Sequence, residues 1–127
     1  MTITHVNPDS LHKNPAFSQA TIVEGGRTMY IGGQNGTDAT GAIVTGGARA
    51  QAEQALRNVL ALLESVGATQ ANVARLNVFY HRDADLAEIF AASNDVWGDH
   101  PTGIVVLQVY ALGRPDALLE IDAVVGL

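Results

Sequence analysis

The chain has 127 residues, 47% apolar and 16% charged, enough for one domain over residues 1–127 and too short for two at roughly 150 residues each. Seven basic residues against thirteen acidic ones give a net charge of −6; a phosphate backbone or an anionic bilayer calls for the opposite excess, so neither nucleic acid nor a membrane is expected as a partner. Cysteine is absent, which excludes disulfides, thiolate nucleophiles and cysteine-bearing zinc sites and fits a reducing, cytoplasmic setting.

In chain order, residues 1–15 are polar without an apolar run, so no secretory leader is expected, and no stretch reaches the roughly 18 apolar residues of a spanning helix. Gln19 to Glu24 and Thr28 to Ile31 read as strands on either side of Gly25-Gly26, spaced for an antiparallel hairpin. Gly36 to Gly41 is a turn-rich loop around Thr37-Asp38, with room for a short strand at Ala42-Ile43-Val44. From about Gly46 to Val66, Ala52, Ala55, Leu56, Val59, Leu62, Leu63 and Val66 track the helical period, and Gly67 sits where a left-handed residue ends a helix. Asn72 to Tyr80 alternates as a strand, with Ala74, Leu76, Val78 and Tyr80 on one face and Val73, Arg75, Asn77 and Phe79 on the other. A second helix is expected from Asp83 to Gly98, its stripe running through Leu86, Ile89, Phe90, Ala92, Val96 and Trp97 and stopping before His100-Pro101. Strands at Gly103 to Tyr110 and Ala117 to Val125 flank a Gly113-Arg114-Pro115-Asp116 turn.

The order β-β-(β)-α-β-α-β-β packs most economically as an α+β domain, one mixed sheet with two helices on one face. Gly103 to Tyr110 is apolar on both faces of its pleat, as a strand covered on both sides would be. Two helices cover one side only. Each large apolar side chain left wet on the other forgoes roughly 1.5–3 kcal/mol, so copies of the same chain in closed symmetry are the expected cover. The competing reading is that the N-terminal residues fold back over that face.

Metal binding is not expected: His5, His12, His81 and His100 lack ligand spacing, and Asp83 and Asp85 suit the first turn of a helix. Nor does Ser10, Ser18, Ser65 or Ser93 sit in a nucleophile motif. Gly32-Gly33-Gln34-Asn35-Gly36 is either a strand end with unusual backbone angles or a place where a ligand approaches bare amides. Glu120 and Asp122 share a strand face about 6.5–7 Å apart. Flanked by hydrophobic sequence, they are either the polar side of an edge strand or a carboxylate in a partly dry cleft suited to acid–base work.

Five segments in register carry a resemblance. Asn14 to Ala20 resembles a Pro-Tyr-Ser-Gln-Ala opening, and Gly32-Gly33-Gln34 stands where Ser-Gly-Gln is usual. Gln51 to Val59 matches a Gln-x-x-Gln-x-Leu-x-Asn helix, Asn94 to Trp97 resembles Asn-Glu-Val-Tyr, and Leu119 to Asp122 resembles Val-Glu-Ile-Glu. Together they resemble the RidA/YjgF (reactive intermediate deaminase) family from about Asn14 onward. The resemblance implies a chorismate-mutase-like fold, a homotrimer with clefts between subunits, and cofactor-free hydrolysis of small-molecule enamines or imines. It maps the water-positioning Glu onto Glu120 and the substrate contacts onto Phe17, Gly33, Asn94, Gly103 and Val105.

Three positions depart from the pattern. The carboxylate-clamping Arg of Pro-x-Arg is Gly103, the Tyr is Phe17 and a frequent Cys is Val105. An Arg fork binds a carboxylate bidentately, whereas glycine offers one backbone N–H, so typical 2-imino acids are not the expected substrates. Glycine is expected to open space for a bulkier or uncharged imine, with Glu120 orienting water and backbone near Gly33 and Val105 supplying hydrogen bonds. Arg75 and Arg114 are alternative anion contacts, read in preference as a solvated strand residue and a turn residue. The competing function is a non-catalytic, small-molecule-binding trimer; RNA cleavage, also attached to the family, fits poorly with the acidic charge.

Overall fold

The computed structural model describes residues 2–127. Strand β1 (Thr2–Val6) precedes β2 (Ala20–Glu24) and β3 (Thr28–Gln34), then helix α1 (Gly47–Ser65), β4 (Val73–His81), helix α2 (Leu86–Ala92), β5 (Gly103–Val109) and β6 (Leu119–Gly126). Four strands form a mixed sheet in the order β3-β6-β4-β5, parallel between β4 and β5 and antiparallel elsewhere. Both helices lie on one face, giving the expected α+β architecture.

The core follows from two periodicities. Ala48, Ala52, Ala55, Leu56, Val59 and Leu63 of α1 are buried at helical spacing against Leu119, Ile121, Ala123 and Val125, which alternate along β6. Leu62 and Val66 fall at the rim of the stripe and are exposed. Gly67 at φ 73° closes α1 as its position suggested, its N–H donating to the Glu64 carbonyl. Asp85, rather than Asp83, caps α2: its Oδ1 accepts from the Ala87 N–H at 2.9 Å. The helix then widens into a π turn over Ser93–Trp97.

Three strand expectations need correction. Strands β2 and β3 do not pair; β2 pairs with β1, whose short polar sequence gave no strand signal, and the two form a separate sheet. The Ser18 N–H donates to the Thr102 carbonyl (2.9 Å) and the Thr21 hydroxyl to the Ala74 carbonyl (2.6 Å), holding β2 across the N-terminal ends of β4 and β5 instead of beside β3. Residues Ala42 to Val44 make only an isolated bridge, Ile43 to Thr37. Val73 belongs to the core with Val125 and not to the second face, because the register slips between Val73 and Arg75 and resets the alternation.

Candidate functional site

Beyond Arg75 the pleat is regular, so the face turned away from the helices carries Arg75, Asn77 and Phe79 of β4, Glu120, Asp122 and Val124 of β6, and Val105, Leu107 and Val109 of β5. Tyr30 of β3 stands opposite Val124 and is 78% exposed; Leu107 is 48% exposed. Within one protomer this face is half covered at best. The β1–β2 pair reaches this face at Thr21, whose side chain lies beside Gly103 and the Ala74 carbonyl.

The two carboxylates on this face have different surroundings. Asp122 accepts a hydrogen bond from the Asn77 amide at 2.7 Å, so its charge is solvated by the protein. Glu120, also half-buried, has no side-chain hydrogen bond or ion pair among the described residues. Its carboxylate lies over the backbone of Gly33, where an added Cβ would stand 2.5 Å from the Glu120 Cδ and 2.8 Å from Oε1. Gly33 does not have a positive φ. Its missing side chain serves close approach, and a bare strand segment lies beneath the acid.

The remaining sequence-derived contacts fall into two groups. Val105 shares the Glu120 face, but β4 runs between them and strand geometry sets their Cα atoms roughly 12 Å apart. Gly103 lies beside Arg75 at the far end, roughly 16 Å from Glu120 by the same reckoning. It opens no space: a Cβ there would meet the Ala74 carbonyl at 3.3 Å and Thr21 at 3.9 Å, so β2 roofs the position. Phe17 and Asn94 are on the other side of the sheet, at a cavity of about 620 Å³ between α2, the π turn, the inner face of β5 and the segment from Asn14 to Phe17. One protomer therefore brings Gly33 to Glu120 and Phe17 to Asn94, but does not join the two pairs. Arg114 is a turn residue, bound to Asp116 at 2.9 Å and to the Gly41 carbonyl at 2.7 Å. Arg75 is exposed, with no ion pair among the described residues.

The cavity adds wall residues: Phe90 and Trp97 from the apolar stripe of the second helix, Ile104 and Val106 from the strand that is apolar on both faces, and Ser93. Helical and strand spacing register only that these side chains face inward, and a gap between elements leaves no mark in that pattern. Among the described residues no group of three or more His, Cys, Asp or Glu side chains converges as a metal site would need. Among the described residues no helix is long and apolar enough to cross a membrane.

Residues 8–126 match the family model described as endoribonuclease L-PSP. YyfB of Yersinia pestis, a protein of unknown function in the conserved Rid family, superposes with a TM-score of 0.87 at 33% identity over the whole of both chains. The chain belongs to the RidA/YjgF family. Among relatives, the protein DfrA of Myxococcus xanthus is 36% identical over 113 residues, covering 85% of this chain and 82% of that one. The rat 2-iminobutanoate/2-iminopropanoate deaminase is 33% identical over 114 residues, 86% of this chain and 78% of the enzyme. The Rid fold expected from the five segments is thus the fold observed.

Proposed function

We propose that the protein hydrolyses a reactive imine or enamine, releasing ammonia, at a cleft between copies of itself in a homotrimer, with Glu120 orienting the attacking water. The observation that carries this reading is the unpartnered Glu120 carboxylate poised over bare Gly33 backbone, in contrast to Asp122 held by Asn77. The activity in the name of the rat relative supports the reaction class.

The chemistry asks little of the protein. Water adds to the C=N carbon, a C–O bond forms, and the π electrons move to nitrogen. Glu120 takes one proton from water and passes it to nitrogen, giving the tetrahedral carbinolamine. It then takes the hydroxyl proton and passes it to the amine, so that the C–N bond breaks to release ammonia and leave a carbonyl. An enamine enters the same route after tautomerising to its imine. No oxidation state changes, and water is the sole co-reactant.

Self-association is supported by the partly exposed Phe79, Val105, Leu107, Val109 and Val124 on this face and by two sheet edges, since among the described residues β3 pairs only with β6 and β5 only with β4. An unpaired edge is a ready partner for another chain. In such an assembly Glu120 of one copy faces the β5 edge of the next, where Val105 backbone, Phe17 and Asn94 stand. Gly103 supplies no guanidinium fork, Thr21 lies above it, and Arg75 beside it on β4 stands four residues along the strand from the position opposite Glu120, so the cleft suits imines other than the 2-imino acids. The test is ammonia release from a panel of amino-acid-derived and neutral imines by wild type and Glu120→Ala. Loss of about 10²–10⁴-fold in the variant is expected, and equal rates overturn the role. Ligand-dependent thermal stabilisation of the wild type without turnover would instead support a binding module.

A further inference from the structure

Helix α2 packs on α1 and on its own π turn rather than on β5. It runs only seven residues before the π turn, which ends at Gly98 with φ 77°. The inner face of β5 is therefore left without a roof. Phe90 and Ile104, both turned inward, are 50% and 36% exposed, and what exposes them is the cavity itself. Its size lies within the roughly 300–1,000 Å³ of small-molecule sites. A small apolar void of about 40 Å³ lined by Leu56, Val78 and Ile121 lies next to it, with Phe90, Ile104 and Val106 among the walls the two share.

The polar groups on the wall divide into spent and available. Trp97 Nε1 donates to the His100 carbonyl at 3.2 Å, the Thr102 hydroxyl to the Val73 carbonyl at 2.8 Å, and Asn14 Oδ1 accepts from the Ala16 N–H at 2.8 Å. The side chains of the adjacent Ser93 and Asn94 have no hydrogen-bond partner among the described residues. The ionisable groups on the wall are Asp99 and His100; no Lys or Arg is present, and the Asp99 carboxylate repels an anion. Ring-sized apolar walls, two uncommitted hydrogen-bonding groups and a negative rim define a ligand class.

We propose that this cavity binds the side chain of a neutral substrate, an apolar body about the size of an aromatic ring whose uncharged head hydrogen-bonds to Ser93 and Asn94. The inference rests on the proposed function for the word substrate; binding itself is independent of turnover. Trp97, the sole tryptophan, is 4% exposed and part of the wall, so its emission reports occupancy directly.

The experiment titrates the full chain with 3-phenylpropanamide and with 3-phenylpropanoate, which share a ring and differ in charge, following Trp97 fluorescence and the heat of binding. The amide is expected to saturate and the carboxylate to bind at least about tenfold more weakly. Ser93→Phe or Ile104→Phe, each filling the cavity, is expected to abolish the amide response, and the second variant serves should the first fail to fold. Glu120→Gln is expected to stop ammonia release and leave the amide affinity unchanged. Amide binding that survives both filled variants, equal affinity for the two ligands, or no binding of the amide overturns the inference. Selective amide binding by a wild type that releases no ammonia from any imine sustains it and removes the catalytic reading instead.

Discussion

Gly33→Ala is the most revealing single change in the molecule. The new Cβ would stand 2.5 Å from the Glu120 Cδ and 2.9 Å from Cγ, whereas carbon atoms sit comfortably about 3.5–4.0 Å apart. The carboxylate must retreat by about 1 Å, because the obstructing group is fixed to a strand paired with β6 while the Glu120 side chain can rotate. Displacement of a reacting group by that amount costs on the order of 100-fold in rate. The stability cost belongs at the low end of about 1–3 kcal/mol for overpacking, since Glu120 is only half-buried and its far end yields. Ammonia release and thermal unfolding, measured together, are expected to show a large fall in kcat beside a small fall in Tm. In a Glu120→Gln background the added methyl is expected to cost no further rate, because the group it displaces has already lost its function. Wild-type kcat in Gly33→Ala would refute the placement of the reacting carboxylate over Gly33.

Three further outcomes are expected. Gly103→Arg does not restore a carboxylate clamp, because Thr21 stands 3.9 Å from the Cβ position and the longer side chain must displace the β1–β2 pair; Tm falls and 2-imino acid turnover does not rise, and a rise at unchanged Tm would contradict the roof over Gly103. Leu119→Ala leaves a void where a side chain is fully buried against α1 and is expected to cost about 2–5 kcal/mol in denaturant unfolding; a loss well below that range would mean the core is looser than described. Hydrogen bonds from the Thr40 hydroxyl and amide hold the Asp38 carboxyl below its ordinary value of 3.8. Its stabilising contribution is thus full above 3.8 and disappears as pH falls through the lowered native value. The Tm gap between wild type and Asp38→Asn should therefore close on the acid side, and a gap constant with pH would count against the bonding at Asp38.

Where one face of an element is wholly buried, its period could be read directly. The stripe of α1 and the alternation of Leu119, Ile121 and Ala123 around Glu120 and Asp122 are of this kind. Errors came where a tertiary contact overrides a local pattern. Gly25-Gly26 looks like a hairpin turn, yet the ties of Ser18 to Thr102 and of Thr21 to Ala74 carry β2 elsewhere. A register slip invisible in sequence moves Val73 into the core. In the candidate site, Glu120 and Gly33 were legible as types, while their mutual approach was not, because it depends on the pairing of β3 with β6. Phe90 reads as one residue of a helical stripe and Ile104 as part of a strand apolar on both faces, and only the short reach of α2 turns them into walls. Gly103 was read as open space, although the chain that roofs it comes from β2, far away in sequence.

The shared cleft can be tested by complementation. Glu120→Gln removes the reacting group and Ile104→Phe fills the cavity, so each protein alone is expected to be inactive. When the two are unfolded together, refolded, and shown by mass to have mixed, an intact Glu120 on one copy meets an intact cavity on another, and ammonia release is expected to return. Mixed oligomers that remain as inactive as their parents would contradict a site built between copies.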